Sequence, residues 1–266
     1  MSGDDPGRRT EGEHPIVGGS ARRDTDSGSL FTGIDTLCAA AVRLTGAGGA
    51  AVAVLSAGSQ ARELVYATDP TAQQIDELQF VIGEGPCLDA YRRAEAELWP
   101  DLADERASRR WPVFTSDALA LGVRAAFAFP VFGRKSPIGV LELYRGSAGE
   151  LDRHARRFAA ACADAVGGTL SANWAVRVRD AGSVDQAIEL SAAGEHPADS
   201  VEFSRTEVYL AAGMVSVQLG VTTAEGLDRL RAYSYAQGRS ITAVAADIAA
   251  GSLSLRDQRD LTEGEQ

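Results

Sequence analysis

The spacing of apolar residues along the chain changes from helical to strand-like and back. Apolar residues recur at helical intervals from 30 to 45, and Gly46 ends this run, so the pattern predicts a helix. The runs at 50–56 and 61–69 are rich in apolar and β-branched residues, and a short glycine-containing link separates them. These two runs predict the strands of a hairpin.

Mixed signals follow this hairpin. Thr71 and Gln74 have the spacing of a capping box and predict the start of a short helix. Residues 79–93 predict a strand, a Gly-Pro loop and the start of another helix. We expect residues 97–101, Glu-Leu-Trp-Pro-Asp, to close a loop over the sheet.

The strongest strand pair lies at 125–132 and 137–145, joined by a glycine-containing hairpin loop. Apolar side chains fall on both faces of the second strand, so we expect both faces of the sheet to be covered. Ser147 and Glu150 have capping-box spacing before a long helix at 150–173. Residues 29–172 therefore predict an α+β domain, an antiparallel sheet flanked by helices, rather than a βαβ array.

The chain after residue 203 shows helical signals without strand signals. Ser204 and Thr222 each stand three residues before a glutamate, which is capping-box spacing. Three glycines end the three helical runs: Gly220, Gly238 and Gly251. The pattern predicts a small all-α unit of three helices over 203–255. Ser183 and Gln186 can cap a further helix, so residues 173–202 predict a helical linker.

The two ends of the chain lack a hydrophobic pattern. Residues 1–28 are rich in glycine and mixed charges, and residues 256–266 are almost entirely polar. Such segments bury too little apolar surface to offset the entropy lost on ordering. We expect a disordered tail at each end.

The charge of the chain narrows the class of protein. The 266 residues include 26 Lys+Arg and 37 Asp+Glu, a formal net charge of −11. This disfavours a protein that coats nucleic acid non-specifically, because phosphate binding needs clustered positive charge. Residues 203–266 carry 6 basic and 8 acidic residues, so most of the excess negative charge precedes them. This nearly neutral part of the chain is compatible with weak, selective and salt-sensitive binding of nucleic acid.

Cysteine and histidine usage points away from disulfides, metals and catalysis. The three cysteines cannot form a disulfide framework, and the three histidines lie far apart. No nucleophile–base pair is visible, so we expect a protein that is not an enzyme. The N-terminus lacks the apolar core of a signal peptide, and no apolar run is long enough for a membrane span. A cytoplasmic protein with no membrane contact is expected.

Two stretches resemble known families. The first is GEGPCLDAYRRAEAELWPDLADERASRRWPVF at 83–114, followed by GVRAAFAFPVF and IGVLELYR. It resembles a GAF domain of the actinobacterial GAF–ANTAR proteins, which carry a Gly-Glu-Gly-Pro-Cys loop and a Trp-Pro-x-Phe element. The resemblance covers roughly 140 residues of the chain. It implies a sheet that wraps a pocket for a small molecule.

Seven residues are candidates for the walls of that pocket: Gly83, Gly85, Cys87, Tyr91, Trp111, Phe114 and Phe129. Apolar and aromatic walls with a few polar groups suit a small ligand. The alternative is that the aromatic residues fill the core. Cys87 stands at a helix start that favours a thiolate, so a redox role is possible beside that of an inert, packed cysteine. Neither the ligand nor any cofactor can be named from the sequence.

The second stretch, RTEVYLAAGMVSVQLGVTTAEGLDRLRAYSYAQGRSITAVAADIAAG at 205–251, resembles an ANTAR domain. ANTAR domains are three-helix RNA-binding units of transcription antitermination regulators. The matching positions are Arg205, 211–214, Leu227, Leu230, Arg231, Arg239 and 244–245. Many ANTAR domains carry a lysine where this chain has Ala212, and alanine is usual at Gly226 and Ser234.

The second resemblance implies candidate RNA-binding residues: Arg205, Ala212, Gly213, Arg229, Arg231, Tyr235 and Arg239. Arginines supply phosphate contacts, and a tyrosine can stack on an unpaired base. Tyr233 and Tyr235 are two residues apart on a helix, so only one of them can serve as this platform. The expected RNA is a structured hairpin in nascent transcripts, held so that a competing terminator stem cannot form.

Two functions stay open. One is a signal-responsive antitermination regulator, with a GAF-like sensor coupled to an ANTAR-like RNA-binding unit. The other is a ligand- or redox-sensing GAF protein whose ANTAR-like unit mediates dimer or protein-partner contacts. The predicted helices at 30–45 and 150–173 carry Ala-rich apolar stripes, which normally pack in the core. In two-module sensors such stripes also form dimer bundles, so a homodimer is expected with either function.

Overall fold

A five-stranded antiparallel sheet lies at the centre of the structure, a computed structural model that describes residues 30–56, 62–187 and 205–256. Its strands are β1 (Gly49–Leu55), β2 (Arg62–Ala67), β3 (Glu97–Trp99), β4 (Ala125–Phe132) and β5 (Pro137–Arg145). The spatial order is β2-β1-β5-β4-β3, and every neighbouring pair is antiparallel. Both predicted hairpins are confirmed, and β3 adds an edge strand where a loop was expected.

Nine helices lie wholly within the described residues: α1 (Ile34–Thr45), α2 (Pro70–Ile82), α3 (Pro86–Arg93), α4 (Glu105–Arg110), α5 (Pro112–Ala120), α6 (Arg153–Ala181), α7 (Thr206–Leu219), α8 (Thr223–Ala236) and α9 (Ile241–Ala249). Helices α1 and α6 cover one face of the sheet, and α2 and α3 pack against the other. The last three helices form a bundle, here called the C-terminal unit. In the described residues no helix has the length and apolarity needed to span a membrane.

The predicted strand beginning at residue 79 is wrong, because these residues form the end of α2. Asp69 starts the helix by accepting hydrogen bonds from the backbone N–H groups of Thr71 and Ala72, and Pro70 occupies the first turn. Gly83 ends it with a φ of 79°. A short apolar run before a glycine-rich loop fits a buried helix turn as well as a strand.

Two predicted helix starts also differ from the structure. The cap of α2 is Asp69 rather than Thr71, and α6 starts at Arg153 with Asp152 as its cap rather than at Ser147. An aspartate directly before the helix satisfies the first N–H groups from a closer position. The helices α4 and α5 were not predicted, because α4 has only six residues and the apolar residues of α5 do not fall on one face.

The helix signals of the C-terminal unit agree with the structure where it is described. Thr222 and Glu225 form the predicted capping box, with both hydrogen bonds present. Gly220 ends α7 with a φ of 66°. Ser183 accepts a hydrogen bond from the N–H of Gln186, as its spacing predicts. Ser204, the tail at 1–28, most of the tail at 256–266 and the linker beyond residue 187 lie outside the described residues.

Candidate functional site

Helix α2 lies between the sheet and the C-terminal unit and presents side chains to both. Asp76, Gln79 and Phe80 are fully buried, although α2 itself lies outside the sheet. Gln79 points to the sheet, whereas Asp76 and Phe80 meet residues from α7 and the segment before it. The candidate site is therefore a junction between two parts of the molecule. One is the sheet with helices α1 to α6, here called the sheet domain, and the other is the C-terminal unit.

A buried ion cluster forms the centre of this junction. Asp76 accepts hydrogen bonds from the guanidinium of Arg62, at the start of β2, and from that of Arg205, directly before α7. The distance from Arg205 Nη2 to Asp76 Oδ2 is 2.6 Å. Burial by itself would raise the pKa of Asp76, but the two guanidinium groups outweigh it and hold that pKa below its ordinary value.

Arg205 donates from its guanidinium and its backbone N–H to the sheet domain, while its carbonyl accepts from the N–H of Tyr209 in α7. Its backbone N–H donates to Glu63 Oε1 at 3.0 Å, and its Nη1 donates to the carbonyl of Arg62 at 3.2 Å. Its guanidinium carbon lies 3.9 Å from the centre of the Phe80 ring. Only 5% of Arg205 is exposed. The ring, the carboxylates and the carbonyl together replace the water that a surface arginine would hold.

Phe80 joins the sheet domain to the hydrophobic core of the C-terminal unit. It belongs to the same buried apolar cluster as residues from all three helices of that unit, including Val208, Leu230 and Ile241. Arg231 of α8 lies over the same ring at 4.8 Å from its centre. We call Arg62, Asp76, Phe80, Arg205, Tyr209 and Arg231 the docking interface.

Tyr209 closes the docking interface on the side of the sheet edge. Its hydroxyl accepts a hydrogen bond from the backbone N–H of Arg62 at 2.6 Å and donates to the carbonyl of the same residue at 2.9 Å. Its ring meets Phe80 edge-on, with 6.2 Å between the ring centres. A side chain of α7 thus occupies backbone groups at the start of edge strand β2.

On the sheet side of α2, Gln79 connects to a buried carboxyl group. Its Nε2 donates to both oxygens of Glu142 on β5, at 2.8 and 2.7 Å. Burial raises the pKa of Glu142 to about 7, and the charge of Arg62 only partly opposes this. The side-chain oxygen of Gln79, Oε1, accepts a hydrogen bond from the backbone N–H of Cys87 at 2.8 Å.

The Gly-Glu-Gly-Pro-Cys loop is shaped around these contacts. A Cβ on Gly85 would lie 2.5 Å from Gln79 Oε1, and the φ of Gly85 is 133°, so this position requires glycine. Glu84 Oε1 accepts hydrogen bonds from the N–H groups of Val113 and Phe114 at the start of α5. The loop therefore ties α2, α3 and α5 together.

A second arginine cluster lies within the sheet domain. Arg110 donates to Asp89 at 2.6 Å and to Glu97 at 2.7 Å. Its guanidinium carbon lies 5.4 Å from the Trp99 ring centre and 4.7 Å from that of Trp111. This cluster fixes α3, α4 and β3 to one another without any contribution from the C-terminal unit.

The structure distributes the seven predicted pocket residues over different surroundings. Gly83 and Gly85 shape the loop, Cys87 and Tyr91 lie with apolar residues of β1 and β5, and Trp111 and Phe114 lie among α2, α4 and α5. Phe129 packs on the opposite face of the sheet, against α1 and α6. Phe129 is thus separated from the other six by the sheet itself.

Two surface grooves of about 180 and 250 Å³ lie beside β3. Their lining residues include Leu98, Pro100 and Arg106, and none of the seven predicted pocket residues. Cys87 is 1% exposed, and burial raises the pKa of its thiol. A buried, neutral thiol fits the inert reading of this cysteine better than the redox reading.

The predicted RNA-binding residues fall into three groups. Arg205 and Ala212 are buried, Gly213 is half-buried, and Arg231 has 13% of its side chain exposed. Tyr235 is exposed, and its hydroxyl donates to Asp117 of α5 at 3.3 Å. The exposed cations are Arg229 and Arg239, the latter paired with Asp247 at 2.6 Å. Arg205, Arg231 and Tyr235 thus face the sheet domain.

Sequence reasoning missed the partners of Arg205 and Arg231. Asp76 lies in a predicted helix as an ordinary polar residue, and Phe80 belonged to the predicted strand at 79–93. In the sequence, Asp76 and Phe80 are one aspartate and one phenylalanine in a mixed segment. That pattern does not distinguish a residue that contacts another unit from a residue of the core.

The fold and the junction define a class of protein: a sheet-based domain covered by helices on both faces, with a helical unit fastened to one of the covering helices. The family model described as a GAF domain matches residues 34–171. This range is more than half of the chain, and the chain belongs to the GAF domain family. The resemblance of residues 205–251 to an ANTAR domain stays a prediction.

The solved structures that are similar to this chain share little sequence with it. The GAF3 domain of Slr1393 from Synechocystis sp. PCC6803, in its photoproduct state, is 15% identical, with a TM-score of 0.45 over 56% of this chain and 98% of that one. The GAF-B domain of DevS from Mycobacterium smegmatis is 17% identical, with a TM-score of 0.40 over 56% and 98%.

An enzyme is also among the similar structures. The type II free methionine-R-sulfoxide reductase from Thermoplasma acidophilum is 14% identical, with a TM-score of 0.39 over 53% of this chain and 95% of that one. A comparison with curated protein sequences gave no match.

Proposed function

We propose that this protein is a signal-responsive transcription antitermination regulator, in which the GAF domain senses a signal and the C-terminal unit binds RNA. One observation carries the proposal: α2 contacts the sheet through Gln79 and the C-terminal unit through Asp76 and Phe80. A change on the sheet face that α2 covers therefore has a short, rigid path to α7 and α8. The resemblance of residues 205–251 to ANTAR domains supplies the RNA-binding half.

The regulator acts by binding rather than by catalysis. The C-terminal unit binds a hairpin loop in the nascent transcript and thereby disfavours the competing terminator stem. A difference in affinity between two RNA folds is sufficient for this shift. The signal is a small molecule whose chemistry the sequence does not identify.

The binding experiment uses the full chain and an RNA with two tandem hairpins. We expect filter binding at micromolar protein, weakening as the salt concentration rises, because phosphate contacts release counterions. The matched control is an RNA of the same length and composition with scrambled stems. Equal binding of both RNAs, or no binding at low salt, would overturn the RNA-binding half of the proposal.

A second candidate function is that the C-terminal unit serves protein contacts. The observation that favours it is an exposed apolar stripe on α7, where Leu210 is 58% and Val217 81% exposed. Such a stripe suits a partner protein or a second copy of the chain. Leu210→Ser with Val217→Ser should then reduce self-association in light scattering, while Thr206→Ser on the same helix should leave it unchanged.

The homodimer is proposed with either function. Leu44 of α1 and Phe158 of α6 are both 44% exposed and lie on the two helices whose apolar stripes suggested it. A dimer in light scattering that Phe158→Ser weakens would support pairing through these helices. A monomer at all concentrations would contradict it.

A further inference from the structure

The docking interface covers two of the residues proposed to bind RNA, and a third, Tyr235, forms a hydrogen bond with Asp117 of the sheet domain beside it. Arg205 is almost completely buried, and its guanidinium and backbone N–H donate to Arg62, Glu63 and Asp76 of the sheet domain. The Arg231 guanidinium lies against the Phe80 ring. In this arrangement neither guanidinium is free to contact a phosphate oxygen.

We propose that the docked arrangement is an autoinhibited state, in which the GAF domain holds Arg205, Arg231 and Tyr235 away from RNA until the C-terminal unit is released from α2. The proposal rests on the proposed function, since it concerns the same RNA-binding surface. The Asp76 carboxylate occupies the place that a phosphate would take on Arg205, so RNA and the GAF domain compete for one cation.

The charges of the interface allow release. When Arg205 leaves, Asp76 keeps the guanidinium of Arg62, so no buried carboxylate remains without a counterion. Arg205 and Arg231 pass into water, where their charges are well solvated. The main loss is the burial of Phe80 against the C-terminal unit. A purely apolar interface would lack this exchange of partners.

The signal reaches the interface through one helix turn. Gln79 precedes Phe80 directly and follows Asp76 by three residues. Its amide binds Glu142 and the Cys87 N–H, two groups on the sheet side. A shift of Gln79 on this side must move Asp76 and Phe80, because all three share the rigid backbone of α2.

The test locks the docked arrangement reversibly in the full chain. Asp117→Cys with Tyr235→Cys places two thiols at the edge of the interface, where the native side chains are 3.3 Å apart. The native Cys38, Cys87 and Cys162 are buried, so they react slowly. A bis-maleimide with a disulfide spacer joins the two new thiols, and dithiothreitol then opens the spacer. The linker halves stay attached, so the bulk near residue 235 is the same in both samples.

We expect the affinity for the tandem-hairpin RNA to rise about tenfold or more when the spacer is opened, because only the released fraction binds. Equal affinity before and after opening, with binding present in both, would overturn autoinhibition and leave the proposed function standing. Absence of binding in both samples and in the native chain would overturn the proposed function itself.

A second pair of cysteines controls for the effect of the cross-linker itself. Glu150→Cys with Arg156→Cys replaces another exposed contact, 2.8 Å long, that lies wholly within the GAF domain. Linking and opening this pair should leave the RNA affinity unchanged. An equally large gain with this pair would assign the effect to the linker and overturn the proposal.

Discussion

Both faces of the GAF sheet bury apolar side chains, but only the face covered by α2 and α3, the polar face, also buries charged ones. Leu141 and Leu143 of β5 pack with Phe127 of β4 beneath α1 and α6. Glu142, between the two leucines, points to the other face and receives both hydrogen bonds of the Gln79 amide. Alternation along a strand therefore places an apolar core and a polar network one residue apart.

The difference concerns what each face needs from the rest of the molecule. The apolar face is completed by α1 and α6, which belong to the GAF domain. The polar face includes Arg62 and Asp76, and their cluster is completed by Arg205 from outside that domain. Since buried charges are stable only when paired, the energy of the polar face depends on the C-terminal unit, whereas that of the apolar face does not.

The largest expected effect is on the apolar face. Phe127→Ala removes a ring that is 1% exposed and leaves a cavity, which costs about 3–5 kcal/mol in the free energy of unfolding. Denaturant unfolding measures this loss. Phe132→Ala, on the same strand but 40% exposed, is the control and should cost far less. Similar losses for both variants would contradict the burial that separates them.

A smaller loss in the free energy of unfolding is expected from a change on the polar face, and it should fall on a different part of the structure. Asp76→Asn leaves Arg62 and Arg205 without their buried counterion, which costs about 3 kcal/mol. Hydrogen exchange should show faster exchange in α7 and α8 than in β4 and β5, because the loss falls on the docking interface. Asp228→Asn, which removes only the 64% exposed partner of Arg231, should change little. Uniform loss across the sheet would remove the distinction between the two faces.

The polar face should also make stability depend on pH. Folding raises the pKa of Glu142 from 4.5 to about 7, so the folded state binds this proton more tightly than the unfolded state. The contribution is fully present below pH 4.5 and is lost as the pH rises through 7, a change of about 3 kcal/mol. In Glu142→Gln this part of the pH dependence should disappear. The contrary result would be a change in unfolding free energy between pH 5 and pH 8 that is the same in Glu142→Gln as in the original chain. It would mean that Glu142 does not cause this pH dependence.

Much of the sheet could be predicted from the sequence, because both hairpins consist of long apolar runs. The residues of β5 even showed that both faces are covered, since Val140 and Leu141 are apolar neighbours. The extent of α2 could not be predicted, since Gln79–Ile82 is a short apolar run that suits either a strand or a buried helix turn.

The candidate site was predictable only in its parts. Resemblance drew attention to Gly85 and Arg205, but the roles of both depend on α2, where Gln79 requires the glycine and Asp76 binds the arginine. These partners are 6 and 129 residues away in sequence, the second beyond the reach of any local pattern. Contacts of this kind are determined by packing between distant segments, which single-residue spacing does not encode.

The smallest expected effect lies outside both faces of the sheet. Arg229 is exposed on α8, away from the Phe80 ring that Arg231 contacts. Arg229→Ala should therefore leave the free energy of unfolding within about 0.5 kcal/mol of the original. If Arg229 binds a phosphate, RNA affinity should fall a few-fold and the salt slope by about 1.

Arg43→Ala on α1 is the matched control for this variant, since it removes the same charge from an exposed helix of the GAF domain. It should leave RNA affinity unchanged, because α1 covers the apolar face on the far side of the sheet from α2. Equal losses of affinity in the two variants would mean that net charge alone attracts the RNA. A loss of stability in Arg229→Ala would instead mean that the polar network extends beyond the docking interface into the exposed side of α8.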